Sequence, residues 1–119
     1  MTLAEGSECL FCRIVAGEVP CDALVETPKT LAFRDLHPVA PVHVLVVPRR
    51  HVEHAAAVTP EHAEDVAEMI TTARAVAEAE GVLERGYRLV FNVGEDAGNT
   101  VGHLHLHVLG GRALEWPPG

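Results

Sequence analysis

An α+β fold built on a five-stranded, mainly antiparallel sheet is what this sequence predicts, and three observations carry the prediction. Five short segments have strand character. Two others repeat apolar residues at helical spacing. At 119 residues the chain is long enough for one domain with a real core, spanning 1–119, but not for two ordinary ones.

In chain order, Ser7 can cap a short N-terminal helix in which Leu10, Phe11, Ile14 and Val15 form an apolar stripe, with Gly17 favouring its end. Leu24 to Glu26 and Thr30 to Phe33 read as a hairpin around Thr27-Pro28-Lys29, followed by a turn through His37-Pro38. The run His43-Val44-Leu45-Val46-Val47 is β-prone and nearly without polarity, as in a central strand, and Pro48 stops it. Thr59 as cap and Pro60 as first helical residue open the longer helix. Its stripe of Val66, Met69, Ile70, Ala73, Val76 and Ala77 reaches Glu80, and Gly81 is the stop. Arg88 to Val93 and His103 to Leu109 supply the last two strands.

A hydrophobic fraction of 48% with 22% charged residues argues for a packed globular protein and against disorder. The formal charge of -8 disfavours nonspecific attraction to nucleic-acid backbones, so no long nucleic-acid partner is expected, although an acidic protein can still hold a local anion pocket. The apolar stretches are short or interrupted, which predicts no membrane span, and the first residues lack the basic-then-apolar order of a signal peptide. Cys9, Cys12 and Cys21 are an odd set that suits a reducing cytoplasm better than a disulfide framework. Cys21, beside Pro20, is expected to be a small semi-buried residue.

The tract His103-Leu104-His105-Leu106-His107-Val108 carries the chemistry. Strand geometry sends alternate side chains to opposite faces, so three imidazoles share one face while the apolar residues enter the core. Imidazole serves as nucleophile, proton-transfer group or metal ligand near neutral pH, and a structural strand has no need of three in alternation. The preceding loop, residues 94–102, holds three glycines with Asp96, Asn99 and Thr100. Such a loop can present backbone N–H groups to an anion, or simply make a hairpin turn; it lacks the Gly-Lys-Ser/Thr ending of a Walker loop. Cys9 and Cys12, three positions apart, can share a metal or form a redox pair, and only the metal reading also uses histidines. A structural tetrahedral zinc needs two more ligands, for which His51 and His103 are the candidates, with His54 as the alternative to His51.

From Cys12 to Pro20, through Phe33-Arg34-Asp35-Leu36, to His43 and the terminal stretch from His103 to Gly119, the chain resembles the histidine triad superfamily. Leu109-Gly110-Gly111-Arg112 and Trp116-Pro117-Pro118-Gly119 bring it nearest to the histidine triad nucleotide-binding proteins, the purine nucleoside phosphoramidases. The resemblance implies a homodimer whose sheets join across the subunit boundary, and the apolar face of the longer helix could pack against its symmetry mate. It also implies a hydrolase of purine nucleoside phosphoramidates or related AMP conjugates that releases a nucleoside monophosphate. A dinucleoside polyphosphate hydrolase and a nucleotide-binding regulatory protein are the alternatives.

On this resemblance His105 is the nucleophile, and His107 contacts the phosphoryl or leaving group. His43 and His103 maintain the histidine network. Asn92 and Thr100, with the loop backbone of Gly98, Asn99 and Val101, lie around the phosphate. Asp35 binds ribose, and Phe11, Ile14, Val19, Phe33 and Leu36 line the purine pocket. Trp116 reaches toward the partner's site. His105 is nucleophilic only if its other nitrogen holds the proton, which a backbone carbonyl can ensure. The phosphoramidase branch does not generally need zinc, so Cys9, Cys12, His51 and His103 instead match the metal arrangement of other histidine triad proteins. Gly102 stands where a bulky aromatic can occur in that branch, which leaves room on the leaving-group side.

Overall fold

The computed structural model describes residues 9–119, and Ser7, the expected helix cap, lies outside them. The helix α1 (Leu10–Val15) is capped by Cys9, whose Sγ accepts from the Cys12 amide at 3.3 Å. There follow β1 (Ala23–Glu26), β2 (Thr30–Arg34), β3 (Val42–Pro48), two single 3₁₀ turns, α2 (Ala63–Ala79), β4 (Tyr87–Val90) and β5 (Leu106–Gly110). The strands lie in the order β1-β2-β3-β5-β4 with every neighbouring pair antiparallel. This is the predicted α+β class, with strand ends moved by a residue or more.

All seven residues of β3 are buried because the sheet is covered on both faces. Val42, Val44 and Val46 join Ala32, Leu106 and Val108 against Met69, Ala73, Val76 and Ala77 of α2. On the opposite face, Leu31, Phe33, Leu45 and Val47 pack with Phe11 and Ile14 of α1. Each such large side chain taken fully from water contributes roughly 1.5–3 kcal/mol, so β3 anchors two cores at once.

The apolar stripe of α2 is narrower than its sequence suggests. Ile70 is 43% exposed and Val66 only half-buried, while Asp65 and Thr72 turn inward beside Met69, Ala73 and Val76. Both inward polar groups have partners: Asp65 accepts from Arg50 Nε at 2.5 Å, and Thr72 Oγ1 bonds Thr30 Oγ1 at 2.7 Å. Nor does Thr59 cap α2 directly. It caps a 3₁₀ turn, Pro60–His62, in which the Thr59 amide donates to His62 Nδ1 at 2.9 Å. Histidine thus fills the acceptor position that Glu or Gln takes in a capping box, and the α-helix starts at Ala63.

The histidine tract also departs from expectation. Pairing of β5 with β3 begins at Leu106, opposite Val46, not at His103. Extending that register would set Leu104 opposite Pro48, which has no N–H to contribute, and Leu104 N donates instead to Val52 O at 2.6 Å. The last residue of β4, Val90, pairs with His107 near the start of β5, so the expected continuation from Phe91 to Val93 has left the ladder. Alternation of side chains survives these changes: Leu104, Leu106 and Val108 are buried in the α2-side core, while His105 and His107 remain half-buried on the other side. Just beyond β5, Gly111 has φ +88° and a Cβ there would stand 2.8 Å from Pro41 Cβ, so both backbone angle and space require glycine. Among the described residues, no helix is long and apolar enough to cross a membrane.

Candidate active site and metal centre

His105 is oriented by its own chain. Its Nδ1 lies 2.7 Å from the His103 carbonyl oxygen, and since a carbonyl only accepts, Nδ1 must carry the proton. Nε2 is therefore the nitrogen with the free electron pair, as nucleophilic chemistry requires. The ring packs edge-on against Phe11, centroids 5.2 Å apart, and lies 5.1 Å from the ring of His107.

His43 and His107 meet across the strands. In the β3–β5 register His107 is opposite Leu45 and His43 opposite Leu109, diagonal positions on one face. His43 Nε2 and His107 Nδ1 are 2.9 Å apart, and the Val39 amide donates to His43 Nδ1 at 3.1 Å. Nδ1 of His43 is thus an acceptor, Nε2 holds its hydrogen and donates to His107, and the hydrogen of His107 sits on its outer nitrogen, Nε2. Burial is the main cause that lowers both imidazoles; His107, with His105 and His43 adding to the effect, is held at about 4. Both are neutral at pH 7, so this tautomer chain is the relevant state. Asp35 Oδ2 lies 3.4 Å from His43 Nε2, and its Oδ1 accepts from the His37 amide at 2.8 Å. Asp35, His43 and His107 offer ligand atoms close enough for a cation, but the hydrogen on His43 Nε2 occupies the electron pair a metal would need.

An acid-stability prediction follows from the sign of these shifts. Unfolded histidines protonate near 6.5, whereas His43 and His107 resist protonation when folded, so the unfolded chain binds more protons as pH falls from about 6.5 toward 4. Folding stability should be insensitive to these groups above that window and should decline within it. Urea midpoints measured from pH 7.5 to 4.5 are expected to fall less steeply in His107→Asn than in the parent protein; equal slopes would contradict the prediction.

A mostly apolar cavity of about 350 Å³ opens between α1, the end of β2 and the loop before the tract, with Phe11, whose ring packs on His105, in its wall. Phe11, Ile14, Val19, Phe33, Asp35, Leu36, Thr100 and Val101, all predicted from the sequence, line it. Phe11 and Phe33 meet edge to face at 5.6 Å, while Leu36, 89% exposed, stands at the mouth. Asn92, Gly98, Asn99, Trp116 and the two histidines His105 and His107 are not among the lining residues. Three amides of the loop serve the loop itself. Gly98 N donates to Glu95 O, Asn99 N to Gly94 O and Val101 N to Asn99 Oδ1. Trp116 is 81% exposed. Sequence reasoning missed Leu45, although its alternation with Val44 and Val46 could have placed it on this face, and missed Asp22 and Arg34, which form an ion pair at 3.3 Å by the cavity. Cys21, expected to be semi-buried, is exposed and borders the same cavity.

Behind His105, four further ligand atoms converge. Cys9 and Cys12 Sγ and His51 and His103 Nδ1 all lie within 4.8 Å of one another. His103 Nδ1 stands 3.3 and 3.4 Å from the two sulfurs, and His51 Nδ1 is 3.2 Å from that of Cys12. Tetrahedral zinc bond lengths place sulfur and nitrogen ligands about 3.6 Å apart, so the set is near the spacing a metal imposes. The tautomer agrees too: His103 Nε2 donates to Pro48 O at 3.0 Å, which leaves the electron pair on Nδ1 facing the thiols. His103 is fully buried, and that burial foremost holds its pKa down at about 4, in the neutral form a ligand must have. His51 takes this place and His54 does not; the buried Nδ1 of His54 has no hydrogen-bond partner.

Comparisons with known proteins agree with this architecture. The chain is 46% identical over 110 residues to an uncharacterized HIT-like protein of Synechococcus elongatus, covering 92% of this chain and 96% of that protein. The crystal structure of a HIT family hydrolase from Legionella pneumophila superposes with a TM-score of 0.92 at 46% identity, covering 94% of this chain and 100% of that one. A histidine triad protein from Clostridium difficile superposes with a TM-score of 0.87 at 37% identity, over 91% of this chain and 94% of that one. Residues 16–114 match the HIT domain, and the chain belongs to that family.

Proposed function

We propose that this protein, one domain over residues 1–119, hydrolyses purine nucleoside phosphoramidates or related AMP conjugates through a nucleotidyl-His105 intermediate and releases the nucleoside monophosphate. The observation that carries the reading is the proton on His105 Nδ1, held by the His103 carbonyl, which leaves a free Nε2 electron pair on a ring packed against Phe11, one wall of an apolar cavity that also holds the Asp35 carboxylate. The cavity suits a purine between Phe11, Ile14, Val19 and Phe33, with Asp35 accepting from ribose hydroxyls. His107 donates from Nε2 toward the phosphoryl or leaving group. Bond formation at His105 expels the leaving group from the opposite side of phosphorus, and water then enters by the vacated side. The test is a substrate panel of AMP-amine conjugates, AMP-lysine, aminoacyl adenylates and diadenosine polyphosphates, with rapid quenching and intact-mass analysis. Turnover of the amine conjugates and an AMP adduct on His105 are expected; efficient turnover of the dinucleotides alone would favour the alternative hydrolase.

The four-ligand cluster is read as a structural zinc site in a chain working in a reducing, cytoplasmic setting, because all four donors come from the protein and two are thiols. A homodimer completes the reading. The edge strand β4 and the 43% exposed Ile70 on α2 offer a sheet edge and an apolar contact to a second copy, and Trp116 would be covered by the partner. Sedimentation at several concentrations should find about two chains per particle, whereas a persistent monomer would reject this assembly.

A further inference from the structure

Asp35 and His107 have separate duties in the proposed reaction, one at the sugar and one at the leaving group, yet both touch the same atom. His43 Nε2 is 2.9 Å from His107 Nδ1 and 3.4 Å from Asp35 Oδ2. The Nε2 hydrogen is bonded to His107, and the charge of the Asp35 carboxylate stands beside it at ion-pair distance without a hydrogen bond. We propose that His43 is a positioning residue that couples ribose recognition to the chemical step, so that the sugar hydroxyls raise turnover as well as affinity. The idea rests on the hydrolase reading for its kinetic consequence, and on hydrogen-bond geometry for everything else.

Three features make this proximity consequential. The Val39 amide holds His43 Nδ1 as an acceptor, so the proton stays on Nε2, between His107 and the charge of Asp35. His43 is only 6% exposed, which leaves little access for water to act as a substitute partner. The carboxylate pulls by its charge on a hydrogen that the imidazole of His107 holds in a 2.9 Å bond, a balance that a ligand can tip. When ribose hydroxyls donate to Asp35, its remaining pull on the His43 hydrogen weakens. The bond to His107 Nδ1 then strengthens, and the hydrogen on His107 Nε2 is held in place to face the departing group. No proton changes owner in this step; only the strength of one hydrogen bond changes.

The direct test follows imidazole ¹⁵N and N–H resonances of the full-length protein at neutral pH as it is saturated with AMP or with 2′,3′-dideoxy-AMP. AMP should move the His43 Nε2–H proton downfield and slow its exchange, and the dideoxy nucleotide should not. The kinetic test compares an AMP-amine conjugate with its dideoxy counterpart in the parent protein and in His43→Gln. Loss of the hydroxyls should lower kcat by about tenfold in the parent and by no more than about twofold in the variant, while the rise in KM persists in both because Asp35 is intact. Identical resonance responses to the two nucleotides, or a kcat ratio that survives His43→Gln unchanged, would overturn the coupling. If the conjugates are not turned over but the resonances respond selectively to AMP, the hydrolase reading falls and the coupling stands.

Discussion

Turnover of AMP conjugates is expected to fall by at least ~10³-fold in both His105→Ala and His105→Asn, with AMP binding retained. Alanine removes the attacking atom. Asparagine keeps polarity and approximate size beside Phe11, so it separates loss of the nucleophile from loss of packing. His107 is not poised to take over, because its Nδ1 accepts from His43 and its Nε2 carries hydrogen. Rapid quenching with intact-mass analysis should find the AMP adduct in the parent protein, map it to His105 and find none in either variant. Preserved turnover in both variants, or an adduct on another residue, would exclude the assignment and turn attention to His107 or to direct attack by water.

The second large effect is expected at the sulfur ligands. α1 has six residues, well below the dozen or so that an isolated helix needs to persist in water, so its position depends on what holds it. Phe11 and Ile14 bury one side of it, and Cys9 and Cys12 tie its first turn to His51 and His103. Protein purified without a metal-binding tag should contain about one zinc per chain by elemental analysis, and Cys12→Ala should lose most of it. A fall of several kcal/mol in folding stability should accompany the loss, with early proteolytic nicking near the N-terminal helix. His51→Ala should lose metal as Cys12→Ala does, while His54→Ala should keep it. A fully folded, metal-free parent protein whose melting temperature ignores a chelator would leave the cysteines with packing alone.

What was legible in the sequence is what depends on local pattern. The uniform apolarity of β3 announced a strand covered on both faces, and the alternation in the tract announced one side for the histidines and another for the core. The cavity's aromatic wall and Asp35 followed from the family resemblance, and the folded chain brings them together. What failed depended on pairing partners that pattern does not contain. Ile70 matches the helical period, but Asp65 and Thr72 found buried partners in Arg50 and Thr30 and took the inward side. Gly98 and Asn99 looked available to an anion, yet the loop closes on its own amides. The 103–109 segment looked like one strand because nothing within it reveals that position 104 would face a proline.

That proline works as the zero mark of a ruler. Pro48 ends the β3–β5 ladder for want of an N–H, and its carbonyl accepts from His103, the one histidine of the tract that faces the thiols. A single repeating tract is thereby cut in two, with one imidazole turned to the thiols and two left half-buried on the same face of the sheet. Any residue with an amide hydrogen at 48 would invite the ladder to zip two residues further and draw the cut along with it. Which histidines of the tract face the thiols is set outside the tract, on the neighbouring strand.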